Sequence, residues 1–310
     1  MSRNRRTLLF CMKFIKKAAA LLLAFLMLLV PATVLADETN VTDTTTAESF
    51  VCYGDDLNSE QFEKVMNLLG ADLSKDQLIK VTIDDEKALL GSIISADKIG
   101  SRSLSSARVT LTGEGTGISV TTQNINWVTS SMYSSALATA GVDNARIVVA
   151  APVEVSGTAA LAGILKAYES AASTQLSDEA KAVAGSEMVL TGDLADMIGS
   201  DDAVELLAMV KNAIAEYHLD DYDSLRPYVE QGAKQLGVQL TEDQIDQITK
   251  LGVQIAKLDL DPEKLAGQLN GLVDNIQKIQ KVQQSAGSIF TNIKTAVQGF
   301  FNWIGSWFKR

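Results

Sequence analysis

The spacing of apolar residues changes along the chain, and in one region it alternates as strands do. Apolar and β-branched residues recur at every second position in residues 108–111 and 118–125, which predicts two strands. Residues 113–117 between them contain three glycines at alternate positions, so we expect a turn and a hairpin. Residues 145–151 (ARIVVAA) are continuously apolar, which predicts a buried strand.

Helix patterns surround these strands, and two of them begin with the same local signal. Asn58 precedes an amphipathic stretch and Gln61 follows three residues later, a capping box that predicts a helix ending before Gly70. Thr241 and Gln244 repeat this arrangement and predict a second helix. The repeated phrase is too short to indicate a duplicated domain.

The order of these elements predicts the fold class. A helix pattern over residues 130–140 lies between two strand patterns, which indicates a βα crossover, and beyond residue 158 only helix patterns occur. We therefore predict an α+β or α/β N-terminal domain with a small mixed sheet over residues 50–173, an all-α helical domain over residues 174–260, and a long amphipathic C-terminal helix over residues 261–310. We expect the first domain to fold on its own.

The C-terminal helix pattern has one apolar side. From Leu265 to Ile276 and onward, apolar positions alternate by four and three, which is typical of a helix that packs on a partner. No acidic residue follows Asp274, whereas five basic residues do, so residues 275–310 carry a charge of +5. This composition also suits a helix at an anionic membrane surface. A membrane surface, a partner helix and a second copy of the chain are thus all possible contacts. The candidate contact residues are Phe300, Phe301, Trp303, Ile304, Trp307 and Phe308.

The first 36 residues have the pattern of a secretory signal peptide. Six basic residues precede an apolar run over residues 18–30, and Ala36 occupies a small-residue cleavage position. The run is shorter than the roughly 20 residues that span a bilayer, although an uncleaved anchor is the alternative. We expect cleavage near Ala36, an extracytoplasmic protein that is secreted or associated with the cell envelope, and a Thr-rich flexible linker over residues 37–49.

Charge argues against one class of partner. Removing the six basic residues of the signal from the 27 Lys and Arg leaves 21 against 38 Asp and Glu, a net charge of −17. So acidic a surface repels phosphate backbones, and we expect no nucleic-acid partner.

The sequence offers no recognisable catalytic chemistry. Cys11 lies within the signal, so Cys52 has no partner for an intramolecular disulfide, and we expect it to be partly buried and inert. His218, the only histidine, lies far from Cys52 at the end of a helix pattern. Acidic pairs such as Asp84 and Asp85 precede helix patterns, which favours capping over calcium binding. We therefore predict no catalytic residue, metal or cofactor.

One candidate ligand site remains in the first domain. Ser156, Gly157 and Thr158 follow the apolar strand and open a helix, whose free N–H groups can hold an anion. Three further residues would join them if the fold brings the loops together: Arg102, Ser105 and Ser106. The alternative is simple capping with tight packing of Gly157.

Three phrases carry a family resemblance: IGSRSLSSARV (99–109), NINWVTSSMYSSALATAGV (124–142) and VVAAPVEVSGTAALAGILKAYE (148–169). They resemble the exported Gram-positive proteins of the domain of unknown function 1002, or YpuA-like, family. The resemblance implies a Gram-positive envelope and supplies no activity or catalytic residue.

The leading hypothesis is a non-enzymatic envelope protein that acts through its C-terminal helix. The alternative is a binding module for a small ligand or a wall fragment, and an enzyme without a recognisable motif comes last.

Overall fold

The computed structural model describes residues 49–93, 99, 101–274 and 276. These residues form five strands and eight bounded helices, with helical structure also at residues 262–274. The strands are β1 (Ser49–Gly54), β2 (Gln77–Val81), β3 (Ser106–Leu111), β4 (Ile118–Ile125) and β5 (Ala145–Val155). The helices are α1 (Ser59–Leu69), α2 (Ile83–Leu90), α3 (Ser130–Thr139), α4 (Thr158–Ala172), α5 (Asp178–Ile198), α6 (Ser200–Tyr217), α7 (Tyr222–Leu236) and α8 (Glu242–Ala256). The described chain is therefore α+β.

The five strands form one mixed sheet in the order β2-β1-β3-β5-β4. The outer pairs β1–β2 and β4–β5 are parallel, and β3 runs antiparallel to both of its neighbours. The predicted βα crossover is confirmed, because α3 joins the adjacent parallel strands β4 and β5.

The predicted hairpin of β3 and β4 is wrong. Strand β5 lies between them and pairs with both. Buried Ile147 and Val149 suit β5 to this interior position, where it has a partner on each side. The glycine-rich connection instead passes the start of β5, since the Gly117 N–H donates to the Asn144 side chain at 2.9 Å. Alternation predicted the strands but not which strands pair.

The predicted helix starts are confirmed by their hydrogen bonds. In α1 the Gln61 N–H donates to the Asn58 side chain at 2.9 Å, and Gly70 ends the helix in the left-handed conformation. The same reciprocal cap opens α8 at Thr241 and Gln244. Each signal is complete within four residues, so the surrounding fold does not alter it.

Helices cover both faces of the sheet. Val51 and Ala150 point to one face, where they pack in a cluster with Val65, Met66 and Leu69 of α1. Their neighbours along the strands point to the other face, into the main core formed with α3 and α4. The main core includes Cys52, Val149, Leu137, Leu161 and Ile164.

The later helices form a second cluster and also reach into the main core. Helices α5 to α8 bury Leu206, Leu225 and Ile248 among themselves. Ala184 and Met188 of α5 instead belong to the core beneath the sheet. Apolar contacts therefore cross the predicted boundary at Ser173, and the division into domains 50–173 and 174–260 stays a prediction. None of the helices among the described residues is long and apolar enough to span a membrane.

Candidate functional site

The start of α4 contains three of the predicted ligand residues, and its packing is tight. Gly157 caps the helix with φ 94°, and the Tyr133 hydroxyl donates to its carbonyl oxygen. A Cβ at Gly157 would lie 2.5 Å from Tyr133 Oη. The backbone conformation and this close approach both require glycine. Ser156 Oγ lies 3.1 Å from Thr158 Oγ1, so the two hydroxyls form a pair at the helix start.

A carboxyl group of the protein faces this helix start. The Thr158 hydroxyl donates to Glu86 Oε1, and the Glu86 side chain on α2 is only 1% exposed. Its Oε2 has no hydrogen-bond partner among the described residues. Burial raises the pKa of Glu86 to about 7, with the Thr158 hydrogen bond acting in the opposite direction. An anion bound at this helix start would meet the Glu86 carboxyl.

The remaining predicted ligand residues lie at the same end of the sheet. Ser106 begins β3 opposite Ala150 of β5, and its Oγ accepts a hydrogen bond from the Gly54 N–H at 3.2 Å. Ser105 is buried beside it, whereas the Arg102 side chain is exposed. Ser106 and Thr158 therefore bond to different neighbours, on β1 and α2 respectively. Ligand binding at the six predicted residues remains a prediction.

The Glu86 carboxyl should make stability depend on pH. Its folded pKa lies above the usual value of 4.5, so its favourable contribution is complete below about pH 4.5 and lost as pH rises through about 7. The loss is on the order of 2–3 kcal/mol. We expect Glu86→Gln to remove this part of the pH dependence, as measured by urea unfolding at pH 5 and pH 8.

Glu179→Gln is the matched control, because the Glu179 carboxyl is exposed at the start of α5. Its unfolding should keep the pH slope of the unaltered protein. If Glu86→Gln also keeps that slope, the Glu86 carboxyl does not titrate as inferred.

A second buried polar cluster joins α3, α5 and α6. Lys211 Nζ lies 2.7 Å from Glu187 Oε1, and both side chains are at most 1% exposed. The same ammonium group donates to Ser135 Oγ at 2.8 Å and to Thr139 Oγ1 at 3.2 Å. Ser135 and Thr139 in turn donate their hydroxyl protons to the Glu187 carboxylate. Every charged atom of this buried cluster thus has a partner.

A serine beside a lysine can act as a nucleophile and its base, but this pair is arranged differently. Burial lowers the pKa of Lys211, and the Glu187 carboxylate opposes that shift. The Ser135 hydroxyl proton already points to Glu187, and Ser135 is only 1% exposed. A substrate carbonyl has no access to the Ser135 oxygen. We therefore infer that the cluster stabilises the fold. One sequence signal indicates it, because Lys211 occupies an apolar position of α6 between Leu207 and Ile214.

His218 lies at the end of a helix as predicted, whereas Cys52 is more deeply buried than the partial burial predicted for it. Cys52 is fully buried, its thiol donates to the Ala107 carbonyl oxygen at 3.3 Å, and burial raises its pKa to about 12. A protonated, enclosed thiol is unreactive. His218 ends α6 with φ 53°. No group of three His, Cys, Asp or Glu side chains in the described part of the chain could hold a metal ion.

A cleft of about 990 Å³ lies between α3, the start of β4 and the helical residues 262–274. At one end, Lys264 Nζ lies 2.9 Å from Asp143 Oδ2, and the Gln268 amide donates to Asp143 Oδ1 at 3.1 Å. These bonds attach residues 262–274 to the loop before β5. Sequence patterns gave no indication of this cleft, because its walls come from three separate segments.

Part of the predicted apolar side of the C-terminal helix packs within the chain. Leu265 and Leu269 are buried against Ala138 of α3 and Ala208 of α6, and Ile276 is buried in the main core. The first part of the stripe therefore packs on the same chain. Residues 277–310, with the candidate contact residues Phe300 to Phe308, lie outside the described residues, as do residues 1–48 with the predicted signal peptide.

Comparison with known proteins places the chain in a family. The profile of the family described as "Protein of unknown function (DUF1002)" matches residues 53–272. The chain is also similar to "Uncharacterized protein YpuA" of Bacillus subtilis (strain 168), with 34% identity over 285 residues that cover 90% of this chain and 96% of that protein. No solved structure matches. The family match begins near the end of β1 and spans the rest of the sheet, both buried polar clusters and residues 262–272, and the chain belongs to the DUF1002 family.

Proposed function

We propose that this chain is an exported, non-enzymatic protein of the cell envelope that contacts the anionic outer surface of the membrane through residues 288–310. The observation that carries the proposal is the separation of charge along the chain. Residues 275–310 contain five basic residues and no acid. Residues 37–274 contain the other 16 basic residues that follow Ala36 and all 38 acids, a net charge of −22. Residues 275–310 are thus the only cationic stretch after Ala36, and they are also the stretch richest in aromatic residues.

The composition of this end suits a helix lying in a membrane interface. Phe300, Ile304 and Trp307 share one side at helical spacing, while Asn302 and Ser306 fall on the other. Tryptophan favours the headgroup level, and each basic residue near an anionic surface contributes about 1 kcal/mol. Three basic residues lie within this segment, at positions 294, 309 and 310.

The packing of the first part of the helix supports a division of roles. Leu265 and Leu269 are buried on the same chain, so this half of the apolar stripe needs no external partner. On the outer side of this helix, Lys264 Nζ lies 2.9 Å from Asp143 Oδ2 in the loop before β5. The globular part would therefore hold residues 262–274, and the cationic segment that follows them would contact the membrane.

Fractionation of secreting Gram-positive cells tests this proposal. We expect the full chain to begin at Asp37 after export and to remain with the membrane when the wall is digested. A chain ending at Ser285, which keeps every described residue, should begin at the same position but appear in the medium. Recovery of the full chain in the cytoplasm, or of both chains in the medium, would contradict the proposal.

A further inference from the structure

The cleft beside α3 has walls of small residues. Ser130, Ser134 and Ala138 line it from α3, and Gly267 and Gly271 line it from the opposite helix. These five residues recur at intervals of four, so each set forms a row along one side of its helix. Two rows of small side chains facing each other leave room for bulky side chains of a third element between them.

The two helical glycines of the cleft are not required by packing within the described structure. A Cβ at Gly267 or Gly271 would meet nothing within 4 Å, in contrast to Gly192, where a Cβ would lie 2.3 Å from Trp127. Glycine in a helix costs about 1 kcal/mol relative to alanine. Two glycines in one helix that touch no neighbour are therefore unfavourable unless something packs against them.

The floor of the cleft is apolar. Ile118 and Val120 of β4 line it together with Leu269 and Leu272. Ile118, Val120 and Leu272 are only partly buried by the described residues. An occupant with apolar side chains would complete their burial, at about 25 cal/mol for each Å² removed from water.

The C-terminal segment of the chain has the composition to fill this cleft, and it begins beside the cleft. Gly271 and Leu272 line the cleft, so the chain leaves its wall immediately before residues 277–310. This segment contains 34 residues, of which 288–310 would measure about 34 Å as a helix at 1.5 Å per residue. Gly287 precedes it, where the chain can reverse direction. Its bulky apolar residues are spaced by three and four.

We propose that residues 288–310 fold back and dock in the cleft between α3 and residues 262–274, with Val297, Phe300 and Ile304 between the two rows of small residues. Charge adds little to the docking, because Asp143, which lines the cleft with Glu114, already pairs with Lys264 at 2.9 Å. The interaction is intramolecular, so even weak contacts benefit from a high effective concentration. Docking and membrane contact use the same apolar residues, so the docked state is the one we propose for the protein away from a membrane. The inference does not rest on the membrane proposal and would hold if vesicle binding failed.

Disulfide trapping tests this docking in the chain that lacks residues 1–36. Cys52 is fully buried and its pKa is raised to about 12, so it does not compete. Ser134→Cys in the cleft is combined with Val297→Cys, Phe300→Cys or Ile304→Cys, one pair at a time, under mild oxidation. We expect at least one pair to form an intramolecular disulfide with at least tenfold the yield of the matched control. In that control, Cys replaces Lys75, whose side chain is 78% exposed.

Two further variants block the cleft without disturbing the globular part. Gly267→Leu and Gly271→Leu project into open space, so the fold and its thermal unfolding should be preserved. Either variant should lower the yield of the trapped pair by at least tenfold. Yields no higher than with Lys75→Cys would overturn the docking proposal, as would yields unaffected by both leucines. Disulfides found only between two chains would also overturn it, because the occupant would then belong to a second copy.

Discussion

Replacing Lys211 by methionine should lower the free energy of unfolding by about 3–5 kcal/mol, because a buried carboxylate loses its counter-ion. Glu187 is 0% exposed, and its ammonium partner lies 2.7 Å away. Methionine fills a similar volume but donates no hydrogen bond to Glu187, Ser135 or Thr139. Equilibrium unfolding in urea at pH 7 measures the loss.

Lys181→Met is the matched control for this variant. Lys181 also pairs with a glutamate, Glu169 at 3.1 Å, but its side chain is 23% exposed. Water can solvate the remaining carboxylate, so the loss should be below about 1 kcal/mol. The double variant Lys211→Met with Glu187→Leu removes both buried charges and should recover most of the stability. Equal losses for Lys211→Met and Lys181→Met would show that the buried pair is not a major source of stability.

A chain that ends at Ser173 should lose cooperative unfolding. It would lack Glu187 and Lys211, so the buried polar cluster that joins α3 to α5 and α6 would be absent. It would also expose the part of the main core that packs against α5 and α6. Thermal unfolding followed by circular dichroism should show no sigmoidal transition, or the protein should be insoluble.

The matched control for the truncation is the chain ending at Ser285, which retains the described residues and should unfold cooperatively. The sequence-based division into domains predicts the opposite result for the shorter chain, namely independent folding of residues 50–173. A cooperative transition in the chain ending at Ser173 would therefore confirm that division. It would also show that the contacts across Ser173 are dispensable.

Local signals made the helices predictable. The capping boxes at Asn58 and Thr241 are complete within four residues, and Gly70 ends α1 by its left-handed conformation alone. Strands β3, β4 and β5 were indicated by alternation or by an apolar run. Strand β2 was not predicted, and helix α2 was indicated only by the acidic pair Asp84 and Asp85, which lies in its first turn. The sequence of β2 (QLIKV) shows no clean alternation, and Leu78 within it remains 46% exposed.

Long-range pairing was not predictable from one sequence. β5 separates β3 from β4 although the latter two are neighbours in the chain, so the hairpin was a reasonable but incorrect expectation. The contact between Glu86 and Thr158 joins residues 72 positions apart, and Lys211 meets Ser135 across 76 positions. Ser156, Gly157 and Thr158 at the start of α4 were identified, but the carboxyl that faces them was not. Only the tertiary fold brings these groups together.

Binding to lipid vesicles most directly tests the central claim that the basic, aromatic C-terminus contacts an anionic membrane. We predict that the chain from Asp37 to Arg310 sediments with phosphatidylglycerol vesicles at low salt and not with neutral phosphatidylcholine vesicles. Replacing Lys294, Lys309 and Arg310 by glutamine should weaken binding by about 3 kcal/mol, or roughly a hundredfold. The chain ending at Ser285 should not sediment. If the full chain stays in solution with anionic vesicles at low salt, or if the shorter chain binds equally well, the membrane-contact proposal is wrong.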